Sequence, residues 1–336
     1  MPCRPMVRSV IRDDWNKNES SKVKIMGNKP RVFIDGEHGT TGLGIANRLM
    51  GRDDVELMSL SSENRKSSHH RAELINSVDV AILCLPDDAA REAVALIRNP
   101  AVRVIDASTA HRVSPDWTYG FPELTTGQRQ KIREAKFVSN PGCYATGAIA
   151  LIRPLIEKKI LSSVTPLSII GVSGYTGGGK SLIKIHEEEI NPEPFAFYGV
   201  NLSHKHIPEI MVHGQLTKKP IFLPSAGHFP SGMVVVIPLH KDAVTGSIEI
   251  IQETFADWYR ECKHITVDPL NSRETLERED YIRVDRLANT DQLELMVFCS
   301  ESHDEILLVA RLDNLGKGAS GAAIQNLNLM LGLNPG

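Results

Sequence analysis

Cys143 stands where a thiol can become a nucleophile. It lies in NPGCYAT, directly after the strand-like KFVSN and at the first turn of a helix expected from about Tyr144 to Lys158. Unpaired N–H groups and the dipole at a helix start favour the thiolate, so this placement predicts a lowered pKa and a covalent route. The alternative is a small residue that happens to open a helix. Cys84 in AILCLP and Cys299 in LMVFCS read as packing, and Cys262 falls late in an expected helix. A thiolate needs a proton partner, and His204 and His206 in HKHIPEI are the candidates, with Glu209 able to orient an imidazole. Any one histidine could be an ordinary side chain; together with Cys143 these residues predict a Cys/His site between two domains.

Two glycine-rich turns follow strands. In RVFIDGEHGTTGLGIANRLM, Gly36, Gly39 and Gly42 recur at spacing three, with Thr40 and Thr41 between the last two. Glycines there let a chain turn tightly and approach a diphosphate, which the following helix start stabilises; an ordinary glycine-rich loop is the alternative. The second expected strand, VELMSL, runs into SSENRK without the strand-end acid usual for NAD. Ser61, Ser62, Arg65 and Lys66 suit a 2′-phosphate, which points to NADP, with Glu63 as the residue against it. The second turn, GYTGGGKS, formally matches a phosphate-binding loop, G-x-x-x-x-G-K-[ST]. No apolar strand downstream ends in a clear magnesium-binding Asp, so nucleotide hydrolysis is disfavoured, while Lys180 could still hold an anion.

The elements that must position these residues form two textures. From Arg31, short apolar runs (RVFID, VELMSL, DVAILCLP, VRVIDAS, KFVSN) alternate with helical segments, the rhythm of a doubly wound parallel sheet. Later strands such as PLSIIGVS, MVVVIPLH and SIEIIQETF carry longer loops and suit an α+β domain with a mixed sheet. An amphipathic helix expected from Ala319 to Leu331 closes the chain. The expected division is residues 1–28 as a disordered extension or leader, with Met26 a possible start, 29–145 as the dinucleotide-binding domain, 146–306 as the substrate and oligomerisation domain, and 307–336 returning to the first. Lys plus Arg number 38 against 41 Asp plus Glu, a net charge of −3, so no global positive field draws the chain to nucleic acid. Apolar runs stay under half the ~20 residues of a membrane helix. Five scattered cysteines without a C-x-x-C pair predict no metal site, and reduced thiols in a cytoplasmic protein.

DGEHGTTGL, DASTAHR, NPGCYAT, GVSGYTGGGK, HKHIPEI and GKGASGAAIQNLNLM occur in the order found in N-acetyl-gamma-glutamyl-phosphate reductases of the shorter form, and the chain resembles that family over about residues 29–333. The resemblance implies a Rossmann domain joined to one similar to that of glyceraldehyde-3-phosphate dehydrogenase. It implies NADPH-dependent reduction of an acyl phosphate to a semialdehyde in arginine biosynthesis, with Cys143 forming a thioester and His206 as acid/base followed by Glu209. It further implies that Asn140 and Ser173 lie at the acyl group, that Arg112 grips the phosphate, that the Lys180 loop is substrate-side, and that Asn314, Lys317 and Gly318 lie beside the cofactor in a homo-oligomer, a dimer or tetramer. The nearest rival is aspartate-semialdehyde dehydrogenase, which usually has Asn where Gly142 stands; a non-catalytic NADP sensor is the alternative of another class.

Overall fold

The computed structural model describes residues 29–333, so the expected N-terminal extension lies outside the described residues. The first half alternates strand and helix: β1 (Arg31–Asp35), α1 (Thr40–Leu49), β2 (Glu56–Met58), α2 (Ser68–Ile75), β3 (Val80–Leu83), α3 (Asp87–Ala95) and β4 (Arg103–Asp106). Then come β5 (Thr118–Tyr119), α4 (Gln128–Glu134), β6 (Phe137–Ser139) and α5 (Cys143–Glu157). The six strands form one parallel sheet in the order β2-β1-β3-β4-β6-β5. All four residues of β3 are buried, because helices cover both faces: α2 and α3 on one side, α1 and α4 on the other.

The second half continues with β7 (Ser168–Gly174), α6 (Gly179–Glu188), β8 (Phe195–Phe197), α7 (Ile207–Gly214), β9 (Ile221–Gly227) and β10 (Met233–His240). It closes with α8 (Glu249–Tyr259), β11 (Ile265–Val267), β12 (Leu293–Cys299), β13 (Glu305–Leu312) and α9 (Gly321–Leu331). Its seven-stranded sheet, β11-β12-β13-β10-β7-β9-β8, is mixed, as expected for the α+β half. Helices α5, α7 and α8 pack on one face around Ile149, Ile152, Ile210 and Phe255. The fold class expected from the sequence is therefore the one observed.

SIEIIQETF, expected as a strand, is helical instead: Glu249–Phe255 lie in α8, and Ile251 and Phe255 are buried at helical spacing. Several boundaries also differ. VELMSL keeps only three strand residues, and β5 has two, too few for any period to reveal. The last helix starts at Gly321, after a wide turn over Gly316–Ser320. That turn needs its glycines: a β-carbon on Gly316 would lie 1.9 Å from the Thr290 carbonyl oxygen, and one on Gly321 2.0 Å from Asp291 Oδ1. Beyond it, α9 leaves the second sheet and docks on the first, burying Leu327, Leu329 and Met330 with Val32, Ile34 and Ile45. Each such side chain contributes about 1.5–3 kcal/mol by leaving water.

Candidate active site

Cys143 opens α5 behind Gly142, which has extended backbone angles and leaves the helix start without a side-chain cap. The thiol is half-buried in a cleft of about 560 Å³ shared with Arg112, Ser173, Lys205 and His206. A β-carbon on Gly142 would lie 2.5 Å from Arg112 Nη1 and 2.5 Å from His206 Nε2. Only glycine lets the guanidinium and the imidazole converge beside the cysteine.

Glu209, 1 % exposed, organises this convergence from beneath. Its Oε1 accepts from the Tyr119 hydroxyl and from the Gly142 N–H, both at 2.7 Å, and its Oε2 accepts from Arg112 Nη1 at 3.1 Å. Arg112 also donates to the carbonyls of Asn140 (2.9 Å) and Ala107 (3.0 Å), so two of its five N–H groups are left for a ligand. Glu209 was expected to orient the catalytic imidazole, and here the expectation is corrected. Its oxygens are spent on Arg112, Tyr119 and Gly142, while His206 Nδ1 is buried without a hydrogen-bond partner among the described residues. His213 completes the underlayer: its Nε2 lies 2.6 Å from the Arg112 carbonyl oxygen and its ring stacks on Tyr119. Tyr119 and His213 carry no motif and escape sequence reading. Lys205 was within reach of it, because it lies inside HKHIPEI.

The expected lowering of the Cys143 pKa is also corrected. Burial pushes the thiol above its ordinary range and outweighs the Tyr144 backbone N–H and the Arg112 and Lys205 charges, which act the other way. Burial, then the Arg112 charge, holds His206 well below the usual histidine range, and His204, whose Nδ1 accepts from the His206 N–H, is brought down to about 4. Both groups are thus neutral at neutral pH, a thiol and an imidazole lining one cleft.

The dinucleotide turn closes on itself. Gly36 has φ +90°, and a β-carbon there would meet the Cys84 carbonyl oxygen at 2.3 Å; one on Gly42 would meet the Gly36 oxygen at 2.3 Å. Gly39 precedes α1 without a side-chain cap, so the first N–H groups of that helix face the groove bare. Such a cradle fits a diphosphate, and Thr40 and Thr41 from its rim line the same cleft as Cys143. Asp35, at the end of β1, is held by Arg71 at 2.7 Å (Nη2 to Oδ2). Arg65, Lys66 and Arg71 line the outer groove, whereas the exposed Ser61 and Ser62 are not among its walls.

Three further placements matter. Lys180, expected on the substrate side, lines the cofactor groove instead, directly after Gly179, which has φ +72°. Lys317, expected beside the cofactor, is 1 % exposed and spends its ammonium on Glu123 (2.9 Å) and Gln325 (2.7 Å), so its side chain does not reach the cleft. Gly318 does reach it: a β-carbon there would lie 2.8 Å from Cys143 Cβ. Asn314 and Ser173 line the cleft, and so does Asn140, although its amide is tied to the Ala319 carbonyl and to Asn326.

Against known proteins, residues 52–135 match the family model for the semialdehyde dehydrogenase NAD binding domain, and residues 143–314 that for the semialdehyde dehydrogenase dimerisation domain. Proteins named N-acetyl-gamma-glutamyl-phosphate reductase from Brucella suis, Brucella anthropi and Brucella ovis are each 50% identical over 311 residues, covering 90% of this chain and 99% of theirs. The chain belongs to the N-acetyl-gamma-glutamyl-phosphate reductase family. Among solved structures, aspartate semialdehyde dehydrogenase II of Vibrio cholerae, complexed with ASA, has a TM-score of 0.69 at 16% identity, over 91% of this chain and 99% of that one. The Candida albicans aspartate semialdehyde dehydrogenase with NADP has a TM-score of 0.60 at 14% identity, over 90% and 98%. These likenesses show the shared fold; they do not extend to substrate. In this chain the glycine before Cys143 has a physical reason, since Arg112 and His206 fill the space that a longer side chain would need.

Proposed function

We propose that this chain reduces N-acetyl-gamma-glutamyl phosphate to N-acetylglutamate semialdehyde with NADPH, releasing phosphate, as a step of arginine biosynthesis. The observation that carries the reading is a single cleft lined both by Cys143 with His206 and by Thr40 and Thr41 of the dinucleotide turn. The Cys143 sulfur attacks the acyl carbon as His206 Nε2 takes the thiol proton, and phosphate departs with that proton toward the two uncommitted N–H groups of Arg112. A thioester on Cys143 results. NADPH, held by the Gly36–Gly42 turn, supplies the hydride that reduces this thioester. Collapse of the resulting oxyanion on the Cys143 adduct frees the aldehyde and the thiolate, which regains its proton from solvent. One hydride and one proton are consumed per turnover. In this mechanism Glu209 is a positioning residue, fixing Arg112 and the Gly142 backbone.

The same reading divides the chain into a cofactor domain over 29–145, a catalytic and oligomerisation domain from 146 and a returning segment; the boundary expected at 307 moves to 313, because β13 runs to Leu312 inside the second sheet. The reading also assembles the chain as a homodimer or homotetramer, supported by the match to a dimerisation domain, and places it in the cytoplasm with the NADPH it consumes. The reverse reaction tests it: enzyme, NADP and phosphate are mixed with N-acetylglutamate semialdehyde or, separately, with aspartate semialdehyde. Faster formation of NADPH with the aspartate compound would overturn the substrate assignment.

A further inference from the structure

We propose that Lys180 clamps the diphosphate of NADP(H) against the bare start of α1, so that cofactor binding draws the glycine loop Gly174–Gly179 over the Cys143 thiol. The inference rests on the cofactor reading above and adds a residue from the other sheet to it. Neighbouring residues of one loop face two sites: Gly177, Gly178, Gly179 and Ser181 line the cysteine cleft, while Lys180 lines the recess formed by Gly39, Thr40, Thr41 and Gly42. Within that recess Lys180 is the one cationic side chain among the described residues. The first turn of α1 carries no charge of its own, and the Arg71 guanidinium is engaged by Asp35. A diphosphate bound there gains N–H groups from the helix but needs a cation to balance it. Lys180 is exposed and makes no ion pair among the described residues, so its ammonium is free to do so.

The loop behind it is anchored on the catalytic side. Asn314 Nδ2 donates to Thr176 Oγ1 at 2.8 Å, Thr176 Oγ1 donates to the Pro230 carbonyl at 2.6 Å, and a β-carbon on Gly177 would lie 2.8 Å from Ser173 Oγ. A pull on Lys180 is therefore transmitted to groups that wall the thiol.

Three forms of the full chain (wild type, Lys180→Met and Lys180→Arg) would be titrated with NADPH and NADH by fluorescence. Iodoacetamide labelling of Cys143 would be followed with and without 2′-phospho-ADP-ribose, which has the diphosphate and no nicotinamide. Lys180→Met is expected to weaken NADPH and NADH alike by about tenfold, the scale of one charge-assisted contact, with Arg restoring binding to within about threefold. The 2′-phospho-ADP-ribose is expected to slow labelling in the wild type and, at saturation, no longer in the Met variant. Unchanged affinities in Lys180→Met, or a loss confined to NADPH, would overturn the diphosphate clamp; equal protection of the thiol in both proteins would overturn the loop coupling. A wild-type chain that binds neither nucleotide would instead remove the cofactor reading.

Discussion

Around Cys143 the buried charged side chains, Arg112 and Glu209, are already paired and Lys205 is exposed at the rim, whereas along the dinucleotide groove the cations Arg65, Lys66 and Lys180 stand free in solvent. Arg112 and Glu209 are 8% and 1% exposed, and they hold each other, the Tyr119 hydroxyl and the Gly142 N–H. Arg65, Lys66 and Lys180 are exposed, and of the groove's cations only Arg71 is engaged, by Asp35. Burying the first set costs desolvation that partners must offset, and in return the groups are fixed before substrate arrives. The second set leaves its neutralisation to the ligand, which keeps binding reversible and sensitive to salt. Fixed charge serves the bond-making centre; free charge serves a cofactor that must leave each cycle.

The largest test of this contrast is Cys143→Ser, expected to cut turnover by about 10⁴-fold or more while NADPH affinity stays within about twofold. A comparable loss of nucleotide binding, measured by titration, would show the two regions are not separable. Gly142→Ala comes next: its methyl displaces Arg112 and His206, so kcat/KM should fall by about 100-fold, and a near-normal rate would mean the pocket is soft after all. The raised thiol pKa makes iodoacetamide labelling of the free protein climb roughly tenfold per pH unit from pH 7 and continue past pH 9 without a plateau; a plateau near pH 7 would restore the preformed thiolate. Histidine burial has the opposite sign. Below about pH 6.5 the unfolded chain takes up protons that folded His204, His206 and His213 resist, so the melting temperature should drop between pH 7 and 5.5. The smallest effect belongs to the groove: Arg65→Met should weaken NADPH by about fivefold and leave NADH alone, and an equal loss of both would move Arg65 away from the 2′-phosphate.

Features written in consecutive residues are legible in the chain itself. Continuous apolar runs such as VAIL announce a strand buried on both faces, and NPGCYAT places a thiol at a helix start within seven residues. What escapes depends on distant parts of the chain meeting. Tyr119 and Glu209 are 90 residues apart, and Arg112 and Glu209 97, so the underlayer of the site has no local signature. The thiol's pKa is misjudged from sequence for the same reason: the helix start is local, but the burial that outweighs it is built by elements from both sheets. Lys180 and Lys317 both leave their expected places because a lysine in a glycine-rich stretch can swing either way: Lys180 lines the cofactor groove, and the Glu123 carboxylate holds Lys317 away from the cleft.

The docking of α9 on the first sheet has a consequence for how the protein is born. Val32, Ile34 and Ile45 wait for Leu327, Leu329 and Met330, which a ribosome adds nearly three hundred residues later. The nucleotide-holding half therefore cannot complete its core while the second sheet is still being translated; β1 and α1 keep an open apolar face until α9 has cleared the exit tunnel.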